Sequence, residues 1–171
     1  MKKIFSFDAE TNGLWGAAFS IAAIVTNEDG SYESFLARCP IEGEVNPWVA
    51  ENVLPTLESI PITHKSYKDM LKAFAEFYMS HKEGADVIVH MGLPVEAKVM
   101  LDMHEFGFIG DWDAPYPLID ISAIPQIGTS VDTYNATNGI EIHFEGTTHN
   151  PLYDSIAAAK AYAHVMGKLF S

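Results

Sequence analysis

Two acids one residue apart, Asp8 and Glu10, close the otherwise apolar segment Lys3-Ile4-Phe5-Ser6-Phe7-Asp8-Ala9-Glu10. If that segment is a strand, alternation turns both acids to one face. Like charges held side by side away from water repel, and a divalent cation between them relieves the repulsion. Read alone, Asp-x-Glu also fits a strand that stops at Phe7 and leaves both acids solvated. A second pair lies far along the chain in His149-Asn150-Pro151-Leu152-Tyr153-Asp154. With Asn150 as helix N-cap and Pro151 in the first helical position, His149 and Asp154 occupy places that meet across the first turn. The carboxylate is suited to ligate a metal, and the imidazole to accept a proton from a polarised water. By itself His149 also fits a solvent-exposed loop histidine.

The elements that must carry these residues follow from periodicity. Strands are expected at about 3–9, 18–27 and 31–38, with Asn27-Glu28-Asp29-Gly30 turning the last two into an antiparallel hairpin. Tyr67, Met70, Leu71, Phe74, Phe77 and Tyr78 repeat at three- and four-residue steps and predict a helix over about 66–82. Asp86-Val-Ile-Val-His90 is short and β-branched, as a buried strand would be. Val95, Val99, Met103 and Phe106 predict a second helix with Pro94 in its first turn, and Pro117-Leu118-Ile119-Asp120 a further short strand. Leu152, Ile156, Ala159, Ala163, Met166 and Phe170 mark a final helix of some five turns. Strands first, then helices alternating with short strands, give an α/β chain with a mixed sheet covered by helices. No repeat or Gly/Ser-rich linker divides residues 1–171, so one domain is expected.

Composition bounds the rest. Of 171 residues 48% are hydrophobic, enough for a sizeable core and too many for a disordered chain. A formal net charge of −13 works against long-range attraction to phosphate backbones or anionic membranes. The single Cys39, with no apolar leader or membrane span in evidence, makes the cytoplasm the expected compartment.

Taken together, the two motifs resemble those of the DEDDh 3′-to-5′ exonucleases of the ribonuclease-H-like superfamily, which includes proofreading domains, ribonuclease T and oligoribonuclease. Phe7-Asp8-Ala9-Glu10-Thr11-Asn12-Gly13-Leu14 is similar to the first motif of that family. His149-x-x-x-x-Asp154, with the small residues Ser155-Ile156-Ala157-Ala158-Ala159 behind it, is similar to the third. The second motif departs from the family pattern His-Asn-x-x-Phe-Asp. This chain reads His90-Met91-Gly92-Leu93-Pro94-Val95-Glu96, with Met91 for the Asn and Val95 where the acid should stand. Glu96, one residue later, is the candidate acid, and the dipole at the helix start would favour an acid there in any case. Asp102 is the fallback, roughly 9 Å further along the helix.

The resemblance implies a ribonuclease-H-like fold with a mixed five-stranded sheet flanked by helices. It also implies two divalent cations, Mg²⁺ or Mn²⁺, held by Asp8, Glu10, Glu96 and Asp154, with His149 as general base. Oxygen ligands suit these ions better than zinc. The loop Thr11-Asn12-Gly13-Leu14-Trp15 would meet the terminal nucleotide. Trp15 would either stack on a base or pack over the sheet end. Lys98 is the candidate phosphate contact among nine lysines and one arginine. Expected partners are single-stranded RNA or DNA 3′ ends, RNA slightly ahead, with a homodimer suggested only by similar small exonucleases. The irregular second motif leaves two alternatives open, a catalytically silent binding module and a small-molecule phosphodiesterase using the same metals. The negative charge now argues only against long, electrostatically held nucleic acid, because bound cations would reverse the local sign at a strand end.

Overall fold

The computed structural model describes residues 2–169. Five strands, β1 (Ile4–Thr11), β2 (Ala18–Thr26), β3 (Tyr32–Arg38), β4 (Asp86–Val89) and β5 (Ile119–Asp120), form one sheet in the order β3-β2-β1-β4-β5. The β1-β2-β3 meander is antiparallel, while β4 runs parallel to β1 and β5 parallel to β4. Five helices accompany it: α1 (Pro47–Asn52), α2 (Tyr67–His81), α3 (Val95–Glu105), α4 (Val131–Thr137) and α5 (Pro151–Leu169). The expected Phe170 position on the last helix lies outside the described residues. No helix among the described residues is long and apolar enough to cross a membrane.

Strand β1 is buried on both faces, and its alternation decides where the chemistry goes. Phe5, Phe7 and Ala9 join Met70, Leu71, Phe74 and Tyr78 of α2 and Met103 of α3 in one core. The ring of Phe5 meets Phe7, Phe74 and Tyr78 edge-on, at centroid distances of 6.2, 6.3 and 5.6 Å. Truncating a fully buried ring such as Phe74 to Ala removes about 3–5 kcal/mol. On the opposite face Ile4 packs with Ile24 and Ile88 beneath the alanine-rich side of α5, and Tyr134 of α4 closes this second core. Asp8 and Glu10 continue the Ile4–Ser6 face, so the same register that buries the phenylalanines points both acids toward α5. The strand extends past the expected end at residue 9 to Thr11, with an irregular register between Glu10 and Thr11. The acids therefore belong to the strand and not to a loop beyond it.

Pairing between β1 and β4 covers only Ile4–Ser6. Beyond Ser6 the β4-facing edge of β1 lacks a strand partner, and the start of α3 stands there instead. The short helices α1 and α4, which the sequence periodicity did not single out, pack beside the two functional loops. Asn46 caps α1 by accepting from Trp48 N and Val49 N.

Candidate active site

Three carboxylates converge where β1 meets the first turn of α5. Asp8, Glu10 and Asp154 each present a ligand atom within 4.8 Å of the others. Asp8 and Glu10 arrive there by strand alternation. Asp154 arrives because Asn150 fixes the start of α5, its Oδ1 accepting from Leu152 N at 3.2 Å and Tyr153 N at 3.4 Å. Ser155, next along, is buried against the sheet, its hydroxyl donating to the carbonyl of Pro151 at 2.6 Å and lying 3.3 Å from that of Ala22 on β2. The packing of the small α5 residues on Ile4, Ile24 and Ile88 seats the helix over β1 and β2.

Glu96 is also in this cleft. It is 3% exposed, and its Oε1 accepts from Ala9 N at 2.9 Å. That amide is on the edge of β1 left bare where β4 stops, so the glutamate takes over a hydrogen bond that a longer strand would have made. The side chain lies near enough to Asp8 to disfavour its ionisation, although Glu96 is not one of the three mutually closest acids. The glutamate, one residue later than the expected acid position, is long enough to reach the edge of β1. Asp102 takes no part. It accepts from Tyr67 Oη at 2.6 Å and pairs with Lys98 Nζ at 2.6 Å, on the side of α3 that faces α2. Lys98, expected to meet phosphate, is thereby engaged with its own helix.

The electrostatics are those of carboxylates crowded together out of water. Burial raises the Asp8 carboxyl well above its usual value, and repulsion from Glu96, Asp154 and Glu10 adds to it. Burial likewise pushes Glu96 up to about 8 and Asp154 to about 7, and raises Glu10. None of the four acids is paired with a lysine or arginine among the described residues. An all-oxygen donor set whose members are buried and in part repel one another fits Mg²⁺ or Mn²⁺, since bound positive charge would offset the cost of ionising them there.

His149 overhangs the acids, with Nδ1 3.7 Å from Glu10 Oε1. The Glu10 carboxylate beside it holds the imidazolium above the usual histidine value. The loop that carries it is not loose. His149 has a left-handed backbone, φ 70°, uncommon for a residue with a side chain. Its N–H donates to Asp154 Oδ2 at 2.9 Å, and its carbonyl accepts from Thr56 Oγ1 at 2.7 Å. The Trp48 ring meets the imidazole edge-on at 5.4 Å. Neither Trp48 nor Thr56 was singled out in the sequence, which holds no local sign that residues about a hundred positions away support the histidine.

The loop after β1 is anchored to the segment that leads into α1. Asn12 donates to Glu44 O at 2.9 Å and accepts from Asn46 N at 2.8 Å, which ties the loop to the cap of α1. Gly13 takes φ 82°, where a Cβ would lie 3.3 Å from the Asn46 side chain. Thr11 is buried, whereas Leu14 and Trp15 at the tip are 62% and 72% exposed. Trp15 is therefore a free ring and not a plug over the sheet end. Trp48, whose ring meets His149, is 56% exposed, so both indoles are accessible.

No protein-family profile and no curated protein matches the sequence. Among solved structures the chain is similar to one of Exonuclease X in complex with 5′ overhanging duplex DNA, with a TM-score of 0.57 and 19% identity. The match covers 96% of this chain and 92% of that one. At that identity the likeness is one of fold, and it accords with the expected ribonuclease-H-like α/β architecture, a mixed five-stranded sheet flanked by helices.

Proposed function

We propose that residues 1–171 act as one metal-dependent 3′-to-5′ exonuclease domain that removes nucleotides from single-stranded ends, RNA ahead of DNA. The observation that carries this reading is the convergence of Asp8, Glu10 and Asp154, with Glu96 and His149 at their margin, on a fold shared with a known exonuclease. Asp8, Glu10, Asp154 and Glu96 would hold two divalent ions. Such ions supply Lewis-acid polarisation of the scissile phosphate and neutralise the charge that develops on the leaving oxygen.

The chain's own residues do the remainder. With Nδ1 of His149 turned to Glu10, Nε2 is the nitrogen left to take the proton of the attacking water. The water oxygen bonds to phosphorus, the P–O3′ bond breaks, and its electron pair leaves with the 3′ oxygen. Trp15 and Trp48 offer stacking faces that tolerate any base. The buried, hydrogen-bonded position of Glu96 speaks for a live site over a silent module. The lean toward RNA rests on the resemblance to small exoribonucleases, whereas Exonuclease X was captured with DNA, so the substrates must be compared directly.

The test is digestion of matched 5′-labelled RNA and DNA strands in Mn²⁺, resolved by product length. A ladder of progressively shortened products is expected, abolished by Asp8→Asn. Trimming retained in that variant overturns the reading, and turnover of a dinucleotide without a ladder on longer strands points to the small-molecule phosphodiesterase. Sedimentation of the full chain tests the homodimer.

A further inference from the structure

Asp120 lies outside the convergent acids, yet it makes more hydrogen bonds than any of them. It ends β5, a strand of two residues paired to Ile88 and Val89 of β4. Its Oδ1 accepts from Met91 N at 3.0 Å and its Oδ2 from Gly92 N at 3.0 Å. Oδ1 also receives Ser122 N at 3.0 Å and Ser122 Oγ at 2.7 Å. Both carboxylate oxygens are therefore committed, and two of the bonds clamp the turn that leads from β4 into α3.

That turn needs a clamp. Met91 is held in the left-handed region at φ 55°, and among the described residues it shares that conformation only with His149 and a set of glycines. Such a backbone persists only where its surroundings over-determine it. Gly92 is packed so closely on Val89 that a Cβ would lie 2.4 Å from Cγ2 of that residue. Helix α3 has no side-chain cap of its own, because Pro94 occupies the N-cap. Its first turn is instead built on the clamped segment, with Ala97 N donating to Gly92 O at 2.9 Å. Glu96 sits in that turn, and an ideal Cβ on Gly92 would be only 3.6 Å from Glu96 Cβ.

We infer that Asp120 is the positioning residue of the second motif: it fixes the 91–94 turn so that Glu96 reaches from its shifted place in the sequence into the acidic cleft. The inference rests on the reading of that cleft as a divalent-metal site. Asp120 itself faces the amides and touches no reacting atom. Replacing it with Asn keeps Oδ1 but sets an NH₂ against one of the two clamped N–H groups, donor against donor, whichever way the amide turns.

The experiment is Mn²⁺ binding to the purified full chain, followed by the loss of free-ion paramagnetic signal, for wild type, Asp8→Asn, Glu96→Gln, Asp120→Asn and the Glu96→Gln/Asp120→Asn double variant. Outer-shell partners are worth roughly 10–100-fold in metal affinity, so Asp120→Asn is expected to weaken the weaker-bound ion by that factor. The double variant should bind about as Glu96→Gln does, because both changes remove the same ligand. Circular dichroism establishes that each variant is folded at the temperature used. Should Asp120→Asn not fold, Asp120→Glu, which keeps the charge and moves the carboxylate by one methylene, is expected to give the same ranking. Unchanged Mn²⁺ affinity in a folded Asp120 variant overturns the inference, as does full additivity in the double variant. Failure of the wild type to bind Mn²⁺ overturns instead the metal-site reading beneath it, and the two failures are distinct.

Discussion

Residues two positions apart in α3 illustrate how position, and not type, assigns a role. Glu96 faces the bare edge of β1 and is buried there, while Lys98 faces α2 and is spent on Asp102. Glu96→Gln is expected to lower nuclease activity by more than ~100-fold, since even outer-shell partners of metals are worth 10–100-fold. Asp102→Asn should leave turnover unchanged and cost stability by about 1–3 kcal/mol, because the buried carboxylate accepts from both Tyr67 and Lys98. Initial rates and thermal midpoints of the two variants check this ranking, and the opposite ranking would place the second-motif acid wrongly. Asp8, Glu10, His149 and Asp154 were legible because strand alternation and a helix start are local devices. Asp120, Thr56 and Trp48 were not, because each acts across a gap in sequence that only the tertiary fold closes.

At the scale of elements, the long periodic segments were legible and the short ones were not. Helix α2 falls over Tyr67–His81 as its six apolar positions require, and the hairpin turns at Asn27–Gly30. Helices α1 and α4 have six and seven residues, too few for a period of 3.6 to declare itself. The structure sharpens the reading of the His149 loop, which by itself fitted a solvent-exposed histidine and which is pinned at both N–H and carbonyl. The start of α5 therefore serves two residues at once. Asn150→Ala is expected to remove about 1 kcal/mol and lower the thermal midpoint by roughly 2–4 °C. Catalytic turnover should fall further than stability alone explains, because the same cap sets the angle between His149 and Asp154. Parallel melting and kinetic measurements separate the two effects, and turnover unchanged at full folding would show that the cap is structural only.

The whole molecule carries its acids in an unbalanced state. Glu96 and Asp154 keep protons in the folded chain, at values of about 8 and 7, that the unfolded chain gives up near 4.5 and 3.8. Between those limits the folded state binds more protons than the unfolded state, so this contribution to metal-free stability is lost as pH rises from about 4 to 8. Midpoints recorded in chelator should fall across that interval, and added Mn²⁺ should reverse the trend by binding the ionised form. A flat profile in chelator would refute the linkage. The distribution of positive charge makes a second prediction. Lys98 is tied to Asp102, and the Arg38 guanidinium donates to the carbonyls of Leu57 and Ile60. With these two cations engaged internally and a net charge of −13 on the whole chain, KM for an oligonucleotide should change little with salt, whereas a strand held by many phosphate contacts would show a steep dependence. A steep slope measured between low and physiological ionic strength would reveal a basic track elsewhere on the surface.

The alanines beneath α5 give the site a ruler. Ala157, Ala158 and Ala161 are almost fully buried between that helix and the sheet, so methyl groups set the thickness of the layer that separates Asp154 from the strand bearing Asp8 and Glu10. The spacing of the acids is consequently written in side chains that have no chemistry of their own. Enlarging one of them by two carbons would act at a distance, as a wedge that opens the jaws of the cleft while leaving every polar group intact.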